Sequence, residues 1–186
     1  MTRNVAVTGC CGFIGSNLTR HFLDLGWNVF GVDDMSGGHE EFLPKKFWFL
    51  KRDFTDRIFL DAVRDGKFDA VVHLAAIPRV SFSVEHPLST NEANVTKTLT
   101  LMEACKGNVG RFVFASSSSV YGGASVLPTH ESAPKNPKSP YALQKSIVED
   151  YMRLYWELYK MDSAVLRFHN VFGPNQLGNS PYSTAV

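Results

Sequence analysis

No stretch of this sequence stays apolar long enough to cross a bilayer, and the opening MTRNVAVTG enters a strand-like run without an apolar leader. Neither charge sign prevails. Nineteen Lys and Arg against eighteen Asp and Glu leave a formal net charge of +1. No basic run offsets that balance, which excludes a surface built to attract nucleic acid. Cysteine is scarce: Cys10, Cys11 and Cys105 cannot complete a disulfide framework, and two of them are adjacent. Reduced thiols in a cytoplasmic protein are the expectation. The six histidines, at positions 21, 39, 73, 86, 130 and 169, show neither HExxH nor Cys/His ligand spacing, so no metal site is expected. Fourteen Gly and nine Pro are ordinary usage and remove collagen-like and low-complexity readings.

What is present is an alternation of two periods. Strand-like runs fall at Asn4–Thr8, Asn28–Val32, Phe47–Lys51, Ala70–Leu74, Arg111–Ala115 and Ser163–Phe168. Several are continuously apolar, as strands covered on both faces are. Helical patterns lie between them. Ile14, Leu18, Phe22 and Leu25 recur at helical steps before Gly26, and Val95, Leu99 and Met102 do the same before Gly107. A third helix opens with Ser139 as cap and Pro140 in its first turn and runs to about Lys160. Alternation of this kind predicts an α/β fold, a doubly wound parallel sheet with right-handed crossovers. Residues 1–174 form that domain, and 175–186 read as a tail without a core period. The Pro-rich stretch from Gly122 to Pro140 is long for a loop in a compact domain, which points to function or disorder.

The first strand runs into Gly9-Cys10-Cys11-Gly12-Phe13-Ile14-Gly15, with a helix following at once. Gly9 permits the tight turn, Gly12 lets backbone approach a pyrophosphate, and Gly15 lets helix pack on strand. The N–H groups that open the helix then hold the phosphates. Asp33 ends the second strand about 18 residues after Gly15, where a carboxylate accepts from an adenosine ribose 2′-OH. A carboxylate there repels a 2′-phosphate, so the expected cofactor is NAD rather than NADP.

These features, with VDDMSGG, the RDF at 52–54, HLAA at 73–76, NVTKTL at 94–99, SSSSVYG at 116–122, YALQK at 141–145 and RFHNVFGP at 167–174, carry a resemblance. In family order over nearly the whole chain, they resemble the extended short-chain dehydrogenase/reductase family, nearest its nucleotide-sugar epimerase/dehydratase branch. The resemblance implies a Rossmann NAD-binding domain. It places Gly9, Gly12, Phe13, Ile14 and Gly15 at the phosphates, Asp33, Asp34 and Ser36 around the ribose, and Asp53 at the adenine amino group with Phe54 beside the ring. Leu74, Ala75 and Ala76 line the pyrophosphate and nicotinamide side, Asn94 supports the site wall, and Ser116 and Phe168 complete the cofactor set. His73 is read as structural. Ser118 and Asn170 fall on the substrate side.

Tyr141 and Lys145, four apart on the third helix, share one face. A free phenol near pKa 10 is a poor base at neutral pH, and a neighbouring ammonium and an oxidised nicotinamide both favour its phenolate. The resemblance implies that Tyr141 removes a sugar hydroxyl proton and also borders the cofactor, that Lys145 also holds the nicotinamide ribose, and that Ser117 orients the hydroxyl. Dehydratases of this branch carry an Asp-Glu pair just before VYG, whereas this chain has Ser118 and Ser119, which cannot do that acid–base work. The expected activity is therefore NAD-dependent 4-epimerisation of a UDP-sugar. A silent NAD-binding module and a reductase or dehydrogenase on another substrate stay open beside it. The family continues past Gly173-Pro174 into a smaller substrate domain, and this chain ends soon after that motif. A homodimer is open too, with Trp156 and Tyr159 either core or dimer face.

Overall fold

Strands and helices alternate in space as they do along the chain. The computed structural model describes residues 2–123 and 126–177. Its strands are β1 (Asn4–Thr8), β2 (Asn28–Asp33), β3 (Trp48–Lys51), β4 (Ala70–His73), β5 (Arg111–Ser117) and β6 (Ser163–Phe168). Its helices are α1 (Phe13–Asp24), α2 (Arg57–Arg64), α3 (Val80–Glu85), α4 (Pro87–Asn91), α5 (Lys97–Cys105) and α6 (Pro140–Tyr159). The strands make one parallel sheet in the order β3-β2-β1-β4-β5-β6. The order reverses between β1 and β4, which opens a crevice at their C-terminal ends.

Alternation along β1 builds both faces of the core. Val5 and Val7 lie with Val29 and Val72 against Leu18 and Phe22 of α1. Ala6 faces the other way, among Val32, Phe59, Val71, Leu101, Phe112, Phe114 and Met152. Covered on both sides, these strands need apolar residues at successive positions, hence their unbroken runs.

Two differences from the sequence pattern bear on the site. β5 continues to Ser117, because its last residues pair with β6, Ser116 with Arg167 and Ser117 with Phe168. The stretch between β4 and α5 is also more helical than its pattern announces: α3, α4 and a π-helical turn at Glu92–Thr96. Trp156 and Tyr159 are 52% and 47% exposed, so they are not core in this chain. The tail expected over 175–186 is described only to residue 177.

The helix that carries the tyrosine–lysine pair is started by its cap. The Ser139 hydroxyl accepts from the Ala142 N–H at 3.1 Å, and Pro140 sits in the first turn. Ser139→Ala is expected to cost about 1 kcal/mol in urea unfolding, the usual worth of such a cap. Among the described residues, no helix is long and apolar enough to cross a membrane.

Candidate active site

The glycine loop has the shape a phosphate needs. Gly9 takes a left-handed φ of +70°, and its N–H donates to the Val32 carbonyl at 2.9 Å, tying the loop to β2. A Cβ on Gly15 would strike the Gly9 carbonyl oxygen and the Cys10 backbone, so only glycine lets α1 sit this close. At Gly12 an added Cβ would meet nothing nearer than that carbonyl at 3.4 Å, which leaves room for another group to approach. Gly12 caps α1 without a side-chain hydrogen bond and no acid stands in its first turn, so the N–H groups of that turn have no carboxylate. That cradle fits a dinucleotide diphosphate.

At the end of β2, Asp33 is buried and each carboxylate oxygen accepts one backbone N–H, Oδ2 from Cys11 and Oδ1 from Met35, both at 2.9 Å. A carboxylate has about four acceptor positions, so capacity remains for ribose hydroxyls. Asp34 instead folds its own loop, its Oδ1 accepting from the N–H and hydroxyl of Ser36. Asp53 is engaged twice: Thr55 donates from N–H and hydroxyl to Oδ1, and Lys97 of α5 pairs with Oδ2 at 2.6 Å. Burial works to raise the Asp53 pKa, but the bonds from Lys97 and Thr55 win and hold it below the ordinary value. The Phe54 ring, expected beside a base, turns into the core edge-on to His73 at 4.8 Å.

His73 proves to be a core strut. The Thr98 hydroxyl donates to the Asn94 carbonyl, so it accepts from His73 Nε2–H, and Nδ1 accepts from the Thr8 hydroxyl at 2.7 Å. Burial, with the Lys145 charge adding to it, pushes this imidazole down to about 3 and keeps it neutral. The Thr8 hydroxyl also accepts the Ala75 N–H, which seats Leu74 and Ala75 against Gly9, with Ala76 next along the chain. Asn94, in the π-helical turn, clamps the backbone N–H and carbonyl of Ile77 and donates to the side-chain Oε1 of Gln144 at 2.8 Å. Gln144, which the sequence did not mark, donates onward to Thr90. Those bonds fasten α6 to the chain leaving β4.

Tyr141 and Lys145 are both buried on α6, with Lys145 Nζ 5.8 Å from the Tyr141 ring centre. The Tyr141 N–H donates to the Ser83 hydroxyl at 3.1 Å. Lys145 Nζ donates to the Ala115 carbonyl at 2.8 Å and lies over the Phe114 ring, so the lysine reaches the end of β5 two residues before Ser117. The Ser117 hydroxyl accepts the Ser119 N–H at 3.2 Å, and Ser118–Tyr121 turn away as a short 3-10 segment. Ser116 is expected on the cofactor side, yet its hydroxyl donates to Glu149 Oε1 at 2.5 Å.

Burial pushes Lys145 from 10.5 down to about 7. Between those values the unfolded chain binds one more proton than the folded one, so stability climbs as pH rises from 7 towards about 9. Urea midpoints across that range are expected to rise with a slope of up to one proton, and Lys145→Met flattens it.

Behind the serines sits an ion pair that sequence spacing gave no means of seeing. Arg167 of β6 grips Glu149 of α6 with Nε to Oε1 at 3.0 Å and Nη2 to Oε2 at 2.7 Å. Its Nη1 donates to the Tyr121 hydroxyl and the Glu131 carbonyl. Phe168 is half-buried beside Ser117 on the neighbouring strand, and Asn170 just beyond it is exposed.

Known proteins resemble this chain in sequence and in fold. A sequence model of the NAD dependent epimerase/dehydratase family matches residues 5–185. The UDP-glucose 4-epimerase of Mycolicibacterium smegmatis is 40% identical over 177 residues, covering 91% of this chain and 56% of its own. Among solved structures, a UDP-N-acetylglucosamine 4-epimerase from Methanobrevibacter ruminantium in complex with UDP-N-acetylmuramic acid superposes with TM-score 0.92 at 39% identity. It covers 99% of this chain and 60% of its own. A Thermus thermophilus UDP-glucose 4-epimerase in complex with NAD gives TM-score 0.88 at 35% identity, over 96% of this chain and 59% of its own. The chain thus spans a little over half the length of these relatives.

Proposed function

This chain belongs to the NAD-dependent epimerase/dehydratase family, and we propose that it carries the cofactor and proton-transfer half of a UDP-sugar 4-epimerase. The observation that supports the reading is Lys145, 5.8 Å from the Tyr141 ring centre, reaching the Ala115 carbonyl two residues before Ser117, with serines where a dehydratase needs acids. NAD, when bound, supplies a reversible hydride acceptor. The loop from Gly9 to Gly15 would hold its phosphates, and Asp33 would accept from the adenosine ribose. Tyr141 takes the proton of the sugar 4-hydroxyl, which Ser117 orients. Lys145 stands beside the phenol, and its charge favours the phenolate. Asn94 and Gln144 keep α6 in register with the chain leaving β4.

Relatives of similar identity act on UDP-glucose and on UDP-glucuronate, so the sugar is left unnamed. A cofactor module without turnover is the second reading, favoured by the exposure of Asn170, Val171 and Phe172 on the substrate side. Calorimetric titration of NAD, then of UDP-glucose and UDP-galactose into the loaded chain, separates the two. Binding of both ligands, with sugar interconversion and no net NADH, supports the epimerase. NAD binding alone leaves the module, and steady NADH release indicates a dehydrogenase.

A further inference from the structure

The two cysteines of the glycine loop are adjacent in sequence, and the fold adds a third group to them. Both are fully buried, with Sγ atoms 3.9 Å apart, and a carboxylate oxygen of Asp33 lies with them so that all three atoms are within 4.8 Å of one another. Spacing along the chain hides this cluster, because Asp33 arrives from the far end of β2. The sulfur separation is informative. Two thiolates bound at about 2.3 Å in tetrahedral geometry stand about 3.8 Å apart. The observed 3.9 Å is close to that spacing, and the Asp33 carboxylate supplies a third donor atom beside the pair.

We propose that Cys10, Cys11 and Asp33 form a binding site for a thiophilic divalent cation of the zinc and cadmium class, and that its occupation excludes the dinucleotide. Binding forms two metal–sulfur bonds and one metal–oxygen bond while the two thiol protons leave to water; nothing is oxidised or reduced. Neighbours confine the cluster. A Cβ on Gly31 would strike the Cys10 sulfur, and one on Gly38 would strike the Cys11 Cβ and approach both Asp33 oxygens. The Cys11 and Met35 N–H groups already take one acceptor position on each oxygen, and a cation takes capacity that ribose hydroxyls need. Two thiol protons leave as the divalent cation enters, so the net charge beside the start of α1 is unchanged and the exclusion acts through the acceptor capacity of Asp33. The exclusion rests on the placement of NAD proposed above; the cation site does not.

The test uses the full 186-residue chain, reduced and freed of metal by a chelator, with cadmium as the probe. One equivalent is expected to raise the ultraviolet thiolate-to-cadmium band. Cys105→Ser keeps the band, the Cys10→Ser/Cys11→Ser variant loses it, and Asp33→Asn weakens binding by at least the roughly 10–100-fold that a supporting partner costs. Should the double variant lack native circular dichroism, Cys11→Ala replaces it and must lose the band as well. In calorimetry, cadmium is expected to weaken NAD binding about tenfold or more, and NAD to weaken cadmium binding equally, as linkage requires. In the cysteine variant, cadmium leaves NAD binding unchanged. No band, or a band that survives in the cysteine variants, overturns the site; independent binding of cadmium and NAD overturns the exclusion. If the metal-free chain takes no NAD at all, the cofactor reading fails while the cadmium band still decides the site.

Discussion

Replacing Arg167 by Met is expected to cost about 3–5 kcal/mol of folding stability, the penalty for leaving one partner of a buried ion pair alone. Glu149 is the partner left behind, with only 6% of its side chain exposed, and Arg167 itself is 23% exposed. Three groups meet the carboxylate of Glu149. Arg167 binds both oxygens, the Ser116 hydroxyl donates to one, and Lys135 Nζ lies 3.7 Å from the other. The bond to Glu149, then the one to Tyr121, raise the Arg167 pKa against the opposing cost of burial. Removing the guanidinium therefore leaves a charge with a hydroxyl and one distant ammonium. Lys135 recovers part of the loss only if it abandons Asp150, with which it pairs at 2.7 Å. Urea unfolding of Arg167→Met against the parent chain measures the cost. The double replacement Arg167→Met/Glu149→Leu is expected to return much of it, since apolar substitution of both partners removes the uncompensated charge. A double variant as unstable as the single one would mean that the guanidinium acts through Tyr121 and the Glu131 carbonyl instead.

The pair also marks where sequence reading stops. Glycine turns, an acid at a strand end and a tyrosine–lysine step along one helix are local, and local spacing makes them legible. Fold class follows for the same reason, because strands covered on both faces must be apolar throughout. Long-range partners have no such signature. Glu149 reads as one more polar position on an amphipathic helix, Gln144 as another, and Lys97 as a solvent-facing position of the helix that Val95, Leu99 and Met102 mark. Only the sheet order brings Arg167 beside Ser116, and only the approach of α5 to the end of β3 carries Lys97 to Asp53. Phe54 illustrates the opposite error. Its neighbour Asp53 directs attention to the cleft, but in the turn after β3 the Phe54 ring goes to the core against His73. Ser116 departs in the same way: four consecutive serines look equivalent, yet alternation along β5 sends its hydroxyl to Glu149.

Tyr141→Phe is expected to lower interconversion of UDP-sugars by about 10²–10⁴-fold, the range that a positioned general base contributes. The substitution removes one oxygen and keeps the ring, so the helix start is undisturbed: the bond from the Tyr141 N–H to the Ser83 hydroxyl is a backbone bond. NAD binding should therefore survive, since neither the glycine loop nor Asp33 touches the phenol in the arrangement proposed here. Lys145→Met is a different lesion at the same place. Its ammonium donates to the Ala115 carbonyl, and without it that carbonyl at the end of β5 loses a buried partner. Both stability and cofactor binding are then expected to move along with turnover. Burial holds Lys145 near 7, so its protonated fraction falls as pH rises through neutrality in the free protein. An approaching phenolate or a bound diphosphate stabilises the ammonium and moves that midpoint upward. The rate of the parent chain should accordingly depend on pH through a lysine in the cofactor-loaded state rather than the free one. Turnover and calorimetric NAD affinity, measured together on the two variants, test the assignment. If Tyr141→Phe loses NAD binding in proportion to rate, the phenol belongs to cofactor capture, and the proton must leave the sugar by another group.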